Sequence, residues 1–256
     1  MRALLRGLLD LLLPPSCVGC GAAGDALLCA ACRTRLPLVA RGGCALCQHA
    51  PARTGEGLCA RCMRRASPLD ACIAGAWFEA DAAAWIRRYK YPPRGPGPAS
   101  LDRARLRALA REAVAWRDLD APDQVVPVPL HRRRLRQRGF NPATTLAREL
   151  ARQRSVSLAA TALRRVRDTP SQTGLGRAKR RANVRAAFRA QGAAPARIWL
   201  VDDVVTTGAT LEECARALRA AGARHIVALC AARTPLHPAR VEVADVPQRG
   251  PERWTG

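Results

Sequence analysis

The chain has 256 residues and a formal net charge of +23, with 43 lysines and arginines against 20 aspartates and glutamates. That length supports one moderate hydrophobic core plus a small additional module, and no segment reads as transmembrane. Only Lys90 and Lys179 are lysines, an arginine- and alanine-rich bias that a GC-rich genome also produces, so part of the charge is drift on a solvated surface; its sign still favours polyanions such as nucleic acid and polyphosphates.

Residues 1–15 read as a short amphipathic helix that ends at Pro14-Pro15 and packs on the body of the protein; weak contact with a membrane surface is the alternative. Nothing resembles a cleavable secretion signal, which points to a cytoplasmic chain and to thiols rather than disulfides.

Residues 16–66 are rich in Cys, Gly, Ala and Arg, with few large apolar side chains. A segment this poor in core needs a staple. It contains four Cys-x-x-Cys pairs: Cys17/Cys20, Cys29/Cys32, Cys44/Cys47 and Cys59/Cys62. Each pair sets two sulfurs on one tight knuckle, and two knuckles complete a tetrahedral shell for Zn²⁺. The 8-residue gap after Cys20 and the 11-residue gap after Cys47 suit ribbon loops, so serial pairing and two structural zinc ions are expected. Cross-bracing of the first pair with the third and the second with the fourth is the alternative, and one site could be vacant. Cys72, Cys214 and Cys230 lie in apolar surroundings and read as core.

The next unit spans 67–235. Its first run, from Cys72 to Phe78, reads as a strand, and Trp85–Tyr91 as a helix ending before Pro92-Pro93. Residues 92–98 form a loop, and 101–117 a helix with Leu101, Leu106, Leu109, Ala113 and Trp116 near one face. Gln124–His131 is a strand entering a constrained turn. Asn141-Pro142 starts a helix, Asn as its cap and Pro in its first turn, with Leu146 and Leu150 on the buried stripe. A strand follows near 155–159. Residues 164–190 are strongly basic and interrupted by Pro170, Gly174 and Gly176, which predicts a mobile loop. Strand 198–201, helix 211–221 and strand 225–230 close a βαβ unit. The alternation predicts an α/β fold, a mostly parallel sheet with helices on both faces. The tail, 236–256, is Pro-, Arg- and Gly-rich without periodicity and reads as disordered.

The densest chemical signal is Ile198-Trp-Leu-Val-Asp202-Asp203-Val-Val-Thr206-Thr207-Gly208-Ala209-Thr210. Four apolar residues lead into two adjacent carboxylates, and a turn of small residues precedes a helix. Backbone N–H groups at such a helix start bind anions, while the acids suit sugar hydroxyls. An ordinary strand–turn–helix with capping Thr and Asp is the plain alternative. The segment resembles the signature for 5-phosphoribosyl-1-pyrophosphate (PRPP) of type I phosphoribosyltransferases.

Further blocks stand in the order seen in ComF-family proteins: Pro127-Val128-Pro129, His131, Arg138-Gly139-Phe140-Asn141, then Thr169, Gln172, Arg180 and Asn183-Val184, behind a cysteine-rich head similar to that family's double zinc ribbon. The resemblance covers roughly residues 4–234. It implies a type I phosphoribosyltransferase-like domain joined to a zinc ribbon, in a family that includes a competence protein involved with single-stranded DNA during natural transformation. Two departures stand out. Pro142 replaces the Gln common after Arg-Gly-Phe-Asn, and Thr206 stands where many purine-recycling enzymes place a carboxylate beside the incoming base. The acceptor therefore stays open.

The resemblance implies roles. Asp202 and Asp203 hold the ribose hydroxyls, directly or through Mg²⁺; Thr206, Thr207, Gly208, Ala209 and Thr210 take the 5′-phosphate; Val128 and Pro129 contact pyrophosphate, with His131 and Arg138 neutralising it. Arg177 and Arg180 close over the departing group, although any arginine in so basic a run can be a solvated charge and His131 can simply cap its turn. Three functions follow: a phosphoribosyltransferase of unknown acceptor; a single-stranded-DNA-binding accessory protein whose PRPP pocket is a sensor or relic; and a docking subunit for a DNA-uptake motor protein. Scarce aromatics (Trp77, Phe78, Trp85, Tyr89, Tyr91) predict little sequence preference towards nucleic acid.

Overall fold

In the computed structural model the described residues are 15–24, 26–50, 57–92, 100–115, 119–167, 182 and 184–235. The N-terminal helix expected before Pro15, nearly all of the 92–98 loop, Arg177, Arg180 and the 236–256 tail lie outside them.

Two short helices belong to the cysteine-rich head, α1 (Ala30–Arg35) and α2 (Ala60–Met63). The elements that follow are β1 (Ala71–Trp77), α3 (Ala80–Lys90), α4 (Ser100–Ala115), β2 (Gln124–Pro127), α5 (Arg132–Arg138), α6 (Pro142–Gln153), β3 (Ser157–Leu158), β4 (Leu163–Arg165), β5 (Phe188–Ala190), β6 (Arg197–Val205), α7 (Ala209–Ala220) and β7 (His225–Arg233). Five strands form one sheet in the order β1-β7-β6-β2-β3, with every neighbouring pair parallel. β6 and β7 are its longest strands. Their near-continuous apolar sequences are what a strand covered on both faces requires.

Two cores flank the sheet. One joins Trp199, Val201, Val227 and Leu229 to Leu106 and Leu109 of α4 and Leu146 and Leu150 of α6. The other joins Ile198, Leu200, Ala228 and Cys230 to Leu211, Cys214 and Leu218 of α7. Successive β6 residues thus alternate between cores, as the period of two demands. Gly75 lets α4 lie directly on β1: a Cβ there would stand 2.0 Å from the carbonyl oxygen of Leu109.

The outer edge of β1 is covered by the cysteine-rich head. Trp77 donates its N–H to Pro37 O (2.7 Å), Val39 to Gly75 O (3.1 Å) and Cys72 to Ala45 O (2.7 Å). The buried Gln48 side chain mimics a strand partner, accepting from Ala74 N–H at 2.8 Å and donating to Ala74 O at 3.2 Å. An edge strand is thereby satisfied without exposing a pairing template.

The helix expected over Trp85–Tyr91 begins at Ala80 and the strand expected over 225–230 runs to Arg233; three further differences bear on the site. β6 does not stop at Val201 but runs on through the acid pair, because its ladder with β7 continues to Val205 opposite Arg233. The constrained turn after β2 contains α5, seven residues of which five are arginine; lacking an apolar stripe, it shows no helical period. Its ends are marked by His131, whose ring accepts from Arg133 N–H, and by the left-handed Gly139. The basic stretch 164–190 begins and ends in an antiparallel pair, β4–β5, too short to register as alternation.

Candidate functional site

The acid pair sits at the carboxyl end of β6, the central strand of the sheet, where ligands of open parallel sheets bind. Adjacent strand residues face opposite sides, so the two acids have different surroundings. Asp203 points towards α3, where Lys90 Nζ lies 3.0 Å from its Oδ1. Asp202 feels the charges of both Lys90 and Arg165 of β4, and its Oδ1 accepts from Asp203 N–H at 2.9 Å. Burial pushes the Asp202 carboxyl up to about 7, and the neighbouring Asp203 charge adds to this, while Lys90 and Arg165 oppose it.

After Val205 the chain turns through Thr206 and Thr207 to Gly208, whose φ of +80° makes the left-handed N-cap of α7. Thr207 Oγ1 accepts from Ala209 N–H at 3.4 Å. The first N–H groups of α7 therefore open beside the acids. A cleft of about 420 Å³ joins these pieces; its lining includes Asp202, Asp203, Thr206, Gly208, Ala209 and Thr210 on one side and Val128, Pro129, Arg138 and Lys90 on the other. That volume lies in the range of small-ligand sites. Asn141 ties the second wall together, donating from Nδ2 to Val128 O at 3.0 Å and capping α6 through Oδ1. Phe140 beside it meets buried Tyr89 edge-on, centroids 5.3 Å apart, which locks α3 and Lys90 against this wall.

Of the residues expected at the site, Thr207 and His131 stand apart from this cleft: Thr207 faces a second cavity behind the loop, and His131 caps α5. Arg177 and Arg180 lie outside the described residues. Lys90, Arg165 and Asn141 join the cleft without having been singled out for it. Asn141 carried a signal, as a helix cap. Lys90 ends a helix remote in sequence, and Arg165 arrives on a three-residue strand.

The second cavity, about 210 Å³, lies between the phosphate-loop candidate and the cysteine-rich head, lined by Thr206, Thr207, Gly208, Glu212, Arg65 and Cys62 among others. Arg65, just past Cys62, pairs with Glu212 in the first turn of α7. Buried Arg233 adds a second tie, donating to Leu46 O (3.1 Å), Cys72 O (2.5 Å) and Gln48 Oε1 (3.2 Å). It also reaches Cys72 Sγ at 3.1 Å. Cys72 is buried as expected yet is not a plain core thiol: a hydrogen bond from Cys230 and the Arg233 charge hold it down to about 6.

The eight paired cysteines gather serially. Cys17, Cys20, Cys29 and Cys32 form one cluster and Cys44, Cys47, Cys59 and Cys62 the other, with sulfurs in each cluster within 4.8 Å of one another. Cross-bracing is ruled out by this grouping. Cys20 Sγ–Cys29 Sγ and Cys47 Sγ–Cys59 Sγ are each 3.8 Å. A tetrahedron with Zn–S bonds of about 2.3 Å has edges of about 3.8 Å, so the donor set fits Zn²⁺. The Cys29 N–H, above all, pulls Cys17 down to about 6, while its sulfur neighbours, Cys20 first, push Cys32 up to about 12. In the other cluster burial is opposed by the N–H groups of Cys47, Cys59 and Leu46, which bring Cys44 down to about 7, whereas Cys62 is pushed up by burial and by Cys47. Crowded sulfurs cannot all ionise together without a cation among them. Both shells are closed four-sulfur sets, which marks them as structural.

Residues 8–63 match the double zinc ribbon domain and residues 135–247 the phosphoribosyl transferase domain. The chain is 32% identical over 222 residues to the DNA utilization protein YhgH of Escherichia coli O157:H7, covering 81% of this chain and 97% of that protein. It is 31% identical over 226 residues to YhgH of Salmonella typhimurium LT2, with the same coverage of 81% and 97%. It is also 31% identical over 215 residues to competence protein F of Haemophilus influenzae Rd, covering 77% of this chain and 93% of that protein.

Proposed function

We propose that this chain, which belongs to the ComF family of double-zinc-ribbon proteins with a phosphoribosyltransferase domain, binds PRPP with Mg²⁺ in the β6–α7 cleft. The observation that carries this reading is that Asp202 and Asp203 share one cleft with Thr206, Gly208, Ala209 and Thr210 at the start of α7. The backbone N–H groups of that turn present a positive end to the 5′-phosphate. The carboxylates face ribose hydroxyls, and Val128-Pro129, stiffened by Asn141, forms the wall for the diphosphate.

The Asp203 carboxylate already draws Lys90 to 3.0 Å as a counter-charge, a place that a divalent cation would suit. Bound Mg²⁺ would supply charge neutralisation to the diphosphate. Should turnover occur, the C1–O bond to pyrophosphate breaks and a bond from C1 to an acceptor forms, through an oxocarbenium-like state. The residues then contribute by placement and by electrostatics. Lys90, Arg138 and Arg165 line the same cleft and would neutralise charge on the leaving group.

The relatives' names connect the family with DNA utilization and competence, and we place this chain in the same setting, DNA uptake in natural transformation. A second reading, a non-catalytic protein that binds single-stranded DNA, draws support from α5, whose arginines 132, 133 and 136 are exposed beside the cleft. Docking to an uptake motor through the ribbon is its variant. No helix among the described residues is long and apolar enough to cross a membrane, and we place the protein in the cytoplasm.

Titration calorimetry with PRPP and Mg²⁺ tests the first reading. Wild type binds, whereas Asp202→Asn with Asp203→Asn does not. Absence of binding to wild type, or unchanged binding by the double variant, overturns it. A pyrophosphate-release screen across acceptors then separates enzyme from sensor.

A further inference from the structure

The cleft does not end at the acid pair. Tyr91, the C-cap of α3, lines its mouth and is 68% exposed, the most exposed large hydrophobic side chain among the described residues. Its backbone N–H donates to Arg87 O at 2.9 Å, which anchors the residue at the helix end. The Arg138 guanidinium lies 5.0 Å from the centroid of its ring. Leu135, three residues before Arg138 on the same helix, is 42% exposed and shares its face. Elsewhere the aromatics serve packing: Trp85, Tyr89 and Trp199 are buried.

We infer that Tyr91, with Arg138 lying on it, is a stacking platform at the mouth of the cleft for an unpaired nucleobase that carries a phosphate. This deepens the proposed function and rests on it. The exposed ring and the guanidinium lying on it together present a flat, cationic surface at the cleft. A base satisfies both members of the pair, since rings and guanidinium planes stack on nucleobases alike. The neighbouring arginines 132, 133 and 136 are exposed and supply charge for the attached phosphate. An uncharged aliphatic chain would cover the ring but leave the arginines unused. The ligand's phosphate then runs along α5, outside the cleft, while the phosphate cradle at α7 lies inside it.

The test uses the full chain and two probes: a single-stranded thymidine oligonucleotide with one internal 2-aminopurine, and free 2-aminopurine nucleoside 5′-monophosphate. Stacking quenches the fluorescence of 2-aminopurine. Tyr91→Ala should lower affinity about tenfold, within the range of single base–aromatic stacks, and should leave the slope of affinity against salt unaltered because no phosphate contact is lost. Tyr91→Phe should bind and quench as wild type does. Quenching with the oligonucleotide alone supports the platform and assigns the base to a strand; equal quenching with the monophosphate supports it and assigns a free nucleotide. Wild-type protein that does not bind PRPP with Mg²⁺ overturns the cleft reading and the inference with it. Wild type that binds PRPP, while Tyr91→Ala keeps full affinity and quenching with both probes, overturns the platform alone.

Discussion

Lys90 Nζ lies 3.0 Å from Asp203 Oδ1, so the last residue of α3 neutralises a carboxylate on the central strand β6. Both side chains are largely buried, at 21% and 12% exposure. Removing the cation leaves a desolvated charge, which costs about 1–3 kcal/mol. Lys90→Met should therefore lower stability by that amount in urea unfolding. It should also raise the Asp202 carboxyl further, because the Lys90 charge opposes that group's protonation. Unaltered stability together with an unaltered pH midpoint of PRPP binding would sink this assignment.

The elevated Asp202 carboxyl has two consequences of opposite sign. Its value rises on folding from 3.8 to about 7. The native state thus holds the proton more tightly, and this group's contribution to stability is complete below about pH 4 and is lost as pH rises to about 7. Asp202→Asn should remove that slope from the stability profile. If PRPP with Mg²⁺ is held by this carboxylate as proposed, affinity should fall about tenfold per unit below about pH 7 and level off above it. Calorimetry across pH on wild type and Asp203→Asn checks the midpoint, which should shift down in the variant as the neighbouring charge disappears.

Gly75 is required by contact rather than by a turn. A Cβ would meet Leu109 O at 2.0 Å and Ala113 N at 2.9 Å, both backbone atoms that cannot swing aside. Gly75→Ala should cost about 3 kcal/mol or more, at the upper end for overpacked cores. Thermal unfolding reads the loss. A variant as stable as wild type would mean that α4 does not rest on β1 as described.

Zinc analysis of the purified protein should give two ions per chain, one for each cysteine cluster. Cys44→Ala should leave one. Its cluster lies on the stretch that covers β1, through Ala45 O and Gln48. Loss of the metal should therefore increase hydrogen exchange at Cys72 and Ala74 N–H, while Cys17→Ala, in the other cluster, should leave those amides protected. Equal exchange in both variants would show that the second site does not hold the edge of the sheet.

Much of the chemistry is local and was therefore legible in the chain itself. The Cys-x-x-Cys knuckles, the Asp-Asp run and the Thr-Thr-Gly-Ala-Thr turn each bring their groups together within a few residues, and short spacing fixes geometry whatever the rest of the fold does. Parallel strands announced themselves by apolar runs, and Asn141-Pro142 by cap chemistry. Serial pairing of the knuckles, expected from their short gaps, is what the structure shows, whereas the ion pair of Lys90 with Asp203, the arrival of Arg165 on β4 and the burial of Arg233 beneath the ribbon were settled only by tertiary contacts between segments far apart in sequence. Charged side chains carry no periodicity of their own; which carboxylate an arginine or lysine meets depends on how helices and strands stack, and that is decided by the two apolar cores on either side of the sheet.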